Sequence, residues 1–200
     1  MKKRLTAIVV SLCMVVSVSN VVFANGEDDS YKTITGEEET IPVYGYLGPD
    51  KSVTPPDTGD GGEPSSVEIY VEVPTKILFA AFESNEGKIT SPKFTITNLS
   101  DLSDIKVEIE SFEQRNSDEV NLDGRLSLKL VDINDDDVVP ELFPSSYHPL
   151  GKLLIDNLSK SVEGAGSNKF VFMVGGVWSG SFDEELQPVF DMVVKFSGVE

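Results

Sequence analysis

From Val67 the chain alternates strictly: Val67, Ile69, Val71 and Val73 fall on one face, and Glu68, Tyr70 and Glu72 on the other. A period of two belongs to a half-buried β-strand and is incompatible with a helix, whose faces repeat every 3.6 residues. Similar runs recur at Lys76 to Phe82, Lys93 to Thr97, Ile105 to Phe112, Arg125 to Ile133, Lys169 to Val174 and Pro188 to Gly198, with a weaker one at Gly151 to Asp156. No segment sustains a helical period, and Pro144 and Pro149 break the stretch around Glu141 to Gly151. Short strands separated by turn clusters predict an all-β fold, an antiparallel Ig-like or jelly-roll-like β-sandwich of seven or eight strands. The expected domain runs from residue 67 to residue 200, enough chain to bury an independent core. The inward positions are expected to be Ile69, Val71, Phe79, Phe94, Ile96, Val107, Ile109, Leu128, Leu130, Phe170, Phe172, Val194 and Phe196.

The N-terminus reads differently. Lys2, Lys3 and Arg4 precede an apolar stretch from Leu5 to Phe23, and Val22-Phe23-Ala24 supplies a small-residue cleavage pattern. Residues 1–24 are therefore expected to be a signal peptide cut after Ala24. An uncleaved anchor is the alternative, weakened by Ser11, Ser17, Ser19 and Asn20 within the apolar run. Cys13 has no lipobox before it, so a lipid anchor is not expected. Cleavage would remove the only cysteine and three positive charges, taking the net charge from −18 to −21. Such a balance argues against nucleic acid, which needs cations for its phosphates, and against a basic patch on anionic lipid. Without thiols, the exported domain must hold together by packing.

Residues 25–66 are acidic and turn-rich, ending in the Pro-, Gly- and Asp-rich stretch Tyr46 to Ser66. Composition of this kind buries too little surface to offset ordering entropy. The segment is read as a disordered stalk, kept extended by prolines and like charges. Its one apolar cluster, Ile41 to Leu47, is either a chance island or a docking patch or added edge strand.

Taken together, the leader, the "GYLGPD" stretch, the Pro/Asp spacer, "VEVPTKILFAAFE", "ITSPKFTITNLS" and "IKVEIESF" resemble small secreted surface proteins of Gram-positive Firmicutes, similar in build to WxL-type proteins. The resemblance implies a β-sandwich that is secreted and associated with the cell wall, with surface proteins or wall polymer as partners. It departs from the WxL type at one point: the single tryptophan reads Trp178-Ser179-Gly180, so the Trp-x-Leu wall-binding motifs are missing. No sortase motif is found, and the chain reads out in "KFSGVE", so surface attachment would be non-covalent, or the protein is released. An isopeptide bond of the pilin type is not expected either. The last strand has no asparagine, and Asp191 alternates with Lys195 on the face opposite Phe190, Met192, Val194 and Phe196, where solvent is expected.

Catalytic chemistry finds little footing. Zinc sites and Ser-His-Asp triads need ligands or bases, and the only histidine, His148, lies between Tyr147 and Pro149 in a turn-rich segment. Two candidate sites remain. Asp132, Asn134 and Asp136 have the i, i+2, i+4 spacing that converges three oxygens on calcium, but Asp137 and Phe143 stand where an EF-hand needs glycine and a bidentate acid. An acidic turn explains the same residues. Trp178, flanked by glycines, is a candidate sugar-stacking platform, but the preferred reading is that Gly175-Gly176 mark a bulge or sharp connection and the indole packs over the sandwich end. The sequons at Asn98 and Asn157 would matter only in a eukaryotic secretory pathway. The expected function is a non-enzymatic surface interaction or structural module carried on a stalk. A glycan-binding module, assisted by calcium, is the alternative.

Overall fold

The computed structural model describes residues 31–50, 68–133, 141–144 and 153–199, apart from 163 and 165. Among the described residues eleven strands form two sheets: β1 (Tyr31–Ile34), β2 (Glu38–Gly48), β3 (Val71–Pro74), β4 (Ile77–Phe82), β5 (Phe94–Asn98), β6 (Ile105–Gln114), β7 (Leu126–Asp132), β8 (Glu141–Phe143), β9 (Leu153–Leu158), β10 (Lys169–Trp178) and β11 (Val189–Gly198). One sheet has the order β1-β3-β5-β10-β7-β8 and the other β4-β2-β11-β6-β9. All neighbours are antiparallel except β2 and β4, which run parallel from Val43 opposite Ile77 to Gly48 opposite Phe82. The all-β sandwich expected from the alternation is what the chain forms, with a mixed second sheet and three strands more than the alternation marks.

The alternation fixes which residues face inward. On β11, Phe190, Met192, Val194 and Phe196 are buried while Val189, Asp191, Val193 and Lys195 are half-exposed. On β7 the buried set is Leu126, Leu128 and Leu130. One core joins the sheets, with Ile41, Val43, Val107 and Phe196 from one side and Phe94, Ile96, Leu128 and Phe172 from the other. Every expected core residue is buried except Ile69, which is partly buried against the cluster because strand β3 begins only at Val71. On β6 a register shift opposite Val193 and Val194 leaves Glu110 unpaired and exposed. Such a bulge resets the period, so burial passes from Ile105, Val107 and Ile109 to Phe112.

The largest correction concerns the stalk. Within residues 25–66, positions 31–50 build β1 and β2, and β2 lies inside its sheet between β4 and β11. The rest of that segment, like the leader, lies outside the described residues. Average composition misleads here because β2 needs only one apolar face. Ile41, Val43 and Leu47 have no exposed surface and plug a core that other strands have already framed. The ladder satisfies its backbone, with Gly45 N donating to Pro188 O at 2.8 Å and Leu47 N to Leu186 O at 2.9 Å. That alternation turns the nitrogen of position 42 away from β11, and pairing with β4 starts only at Val43. Pro42, which has no N–H to give, therefore fits a strand interior at a position where the ladder asks for none.

A buried polar stitch ties three segments together. Asn98, fully buried, donates through Nδ2 to Ser103 O, Leu158 O and Ser159 O at 3.0, 3.3 and 3.1 Å, and its Oδ1 accepts from Ser100 N at 2.9 Å. The sequon at Asn98 is thus closed to any modifying enzyme in the folded protein.

Candidate functional site

Trp178 ends β10, paired with Leu126 of β7. The strand runs straight through Gly175 and Gly176, so these glycines do not turn the chain, and Trp178 faces the core simply because it continues the parity of Phe170, Phe172 and Val174. Gly176 is required for a different reason. Its φ is +137°, and a Cβ there would lie 2.0 Å from Ser127 O, because β10 presses directly on β7. The indole is 2 % exposed. Its Nε1 donates to Ser181 O at 3.2 Å, the Arg125 guanidinium carbon sits 5.3 Å from the ring centroid, and a Cβ on Gly180 would meet Cζ2 at 2.0 Å. A sugar-stacking platform needs an open ring face, and this ring offers none. A recess of about 430 Å³ lies beside it, lined by Asn121, Asp123, Arg125 and Asp183 among others.

Of the calcium candidates, Asp132 closes β7, half-buried and opposite Phe172. Asn134 and Asp136 lie outside the described residues, as does His148. Among the described residues no three His, Cys, Asp or Glu side chains gather as metal ligands. Asp191 is half-buried on the outward face of β11, where Arg115 grips it with both Nε (2.9 Å) and Nη2. This pairing raises the Arg115 pKa, chiefly through the hydrogen bond to Asp191.

A concave surface that the sequence reading did not single out lies on the outer side of β7 and β10. It encloses about 810 Å³ and is lined by residues including Lys88, Ile89, Lys129, Val131, Met173, Gly175 and Val177. Its geometry follows from where β5 stops. Along β10, β5 pairs only from Lys169 to Phe172. Beyond that point the β10 edge is taken over by the segment after β4: Val174 N donates to Ser91 Oγ (2.8 Å), Ile89 N to Gly176 O (3.0 Å) and Trp178 N to Gly87 O (2.7 Å). This segment forms one wall, β7 the other, and Gly175 leaves the floor low. Val177 stands 50 % exposed in it. Lys88 and Lys129 are exposed, and neither has an ion-pair partner among the described residues. The signal was present in the sequence: Val171, Met173 and Val177 make β10 apolar on its outward positions as well as its inward ones. A strand apolar on both faces, in a sheet with only one core, has a second surface to cover.

The chain matches no protein-family model, no curated protein and no solved structure.

Proposed function

We propose that this chain is an exported, non-catalytic interaction module of a bacterial cell surface, and that it docks a partner protein in the groove on the outer side of β7 and β10. The observation that carries this reading is an apolar strip, Val131, Met173 and Val177, flanked by Lys88 and Lys129, which have no ion-pair partner among the described residues of a chain of net charge −18. In so acidic a protein two exposed cations beside aliphatic surface select a partner segment that is apolar and carries carboxylates. Export rests on the leader-like residues 1–24, and surface association on the resemblance to secreted Firmicutes proteins of the WxL build. Calcium has no place in this reading.

The test is site-specific photo-crosslinking in the organism that makes the protein, from a probe at Val177 and from a control probe at Glu113, exposed on β6 of the other sheet. The reading requires a protein adduct at 177 that is absent at 113 and is lost when Lys88→Glu and Lys129→Glu are combined. A polysaccharide adduct would assign the groove to a wall polymer, and equal labelling at both positions would remove the groove from consideration.

A further inference from the structure

The arm formed by residues 31–50 gives one strand to each sheet. β1 pairs with β3 in the first, while β2 lies between β11 and β4 in the second. In that second sheet β4 reaches β11 only through β2. Take the arm away and what remains is a slot, walled by Ile77, Phe79 and Ala81 of β4 and by Phe190, Met192 and Val194 of β11, all buried. The arm is bound in this slot by ladder hydrogen bonds and apolar packing, and its one covalent tie to the domain is the chain between Asp50 and Glu68.

The ends of that tie lie at opposite ends of the sandwich. Asp50 Oδ1 accepts from Ser84 N at 3.4 Å, beside the level where Leu47 meets Leu186. Glu68 lies at the other end, its Oε1 3.5 Å from the position of a Cβ on Gly198. From Leu186 to Gly198 the ladder is twelve residues long, about 40 Å at ~3.4 Å per residue. The eighteen peptide steps from Asp50 to Glu68 reach at most about 60 Å. The arm can therefore fill its own slot, and it can do so only because the tie is this long. The intervening seventeen residues include three prolines, three glycines and no aromatic residue, so nothing in their composition makes them a layer of the core.

We propose that the slot also takes the arm of a second copy of this chain, so that residues 31–50 exchange between molecules and link them. The contacts are the same in both arrangements, and only the tie decides between them. The intact tie favours the intramolecular form through its effective concentration, on the order of millimolar, so dilute protein is monomeric and crowded protein exchanges. Shortening the tie below the span removes the intramolecular form altogether, the route by which hinge changes produce swapped oligomers.

Two full-length variants test this. Deleting Thr54 to Glu63 leaves eight steps and a reach of about 28 Å, short of the slot. The shortened chain should elute at twice the monomer mass or more, with an unchanged circular dichroism spectrum. Independently, Thr40→Cys and Val193→Cys are made on separate chains with the tie intact, these positions being direct partners on β2 and β11. Concentrated, incubated together and oxidised, the mixture should yield an interchain 40–193 disulfide by peptide mapping, diminishing at least tenfold on tenfold dilution before oxidation. A shortened chain that is folded and monomeric overturns the proposal. So does an intact-tie mixture that gives no 40–193 disulfide, whatever the shortened chain does.

Discussion

β2 and β10 are both ten or eleven residues long and both run inside a sheet, yet their sequences could hardly differ more. β10 is "KFVFMVGGVW", apolar at nearly every position; β2 is "EETIPVYGYLG", which opens with acids, contains a proline and sits in an acidic, turn-rich stretch. The first could hardly avoid a core. The second is ordered by its neighbours: β11 supplies hydrogen-bond partners from Glu38 to Tyr44, β4 supplies them from Val43 to Gly48, and three aliphatic side chains complete the burial. A strand that makes its own case can be found by its pattern. A strand recruited by a sheet is found only once the sheet is known.

The sharpest way to break this equivalence is a charge in the middle of β2. Val43→Asp would place an unpaired carboxylate where no surface is exposed. At a cost of several kcal/mol against a typical stability of about 5–15 kcal/mol, the domain should lose its cooperative thermal transition. Were residues 31–50 a stalk, the melting curve would not move. Trp178→Ala comes next. A buried large aromatic lost from a core costs about 3–5 kcal/mol, read as a lowered midpoint in urea, and the native tryptophan emission should be blue-shifted and resist iodide quenching. Ready quenching would mean that the indole is open to ligand.

The sequence shows the fold class, the eight strands from β3 to β7 and β9 to β11, and nearly all of the core, because their residues alternate, as the burial of β7, β10 and β11 does most plainly. It does not show β8, three residues long at Glu141 to Phe143 beside Pro144, since too few residues alternate to register. It does not show β1, and it marks β2 only as an apolar cluster open to being an added edge strand, because the order of both depends on distant partners. The packing of Trp178 on the core was legible from the parity of Phe170, Phe172 and Val174; the role of the Gly-Gly pair was not, since it reads as a bulge or sharp connection and only the close approach of β10 to β7 at Gly176 shows otherwise. The groove was half-legible: the outward apolar residues of β10 mark a second surface to cover, but its wall is built where β5 ends and residues 87–91 replace it, a substitution that no local pattern encodes.

Smaller effects sharpen the comparison. Asn98→Ala would leave Ser100 N and three carbonyl oxygens without their partner, at about 1–3 kcal/mol for buried unsatisfied groups. Hydrogen exchange at Ser100 should accelerate together with the loss of stability. Lys32 and Glu39 join β1 to β2 through an ion pair at 2.9 Å, with side chains 38 % and 24 % exposed. Lys32→Ala should change the denaturation midpoint by no more than about 1 kcal/mol, as solvent-exposed pairs do. A larger loss would show that this pair fixes β1 against β2 within the arm more strongly than exposed pairs do.

The central claim is that residues 31–50 belong to the sandwich, and amide hydrogen exchange tests it residue by residue. Gly45 and Leu47 donate their N–H groups to Pro188 O and Leu186 O, so both amides should exchange as slowly as that of Trp178 on β10, which donates to Gly87 O outside the arm, opening only with the whole fold. Exchange at Gly45 and Leu47 at the rate of a free peptide, with Trp178 still protected, would return the arm to a stalk and contradict the account.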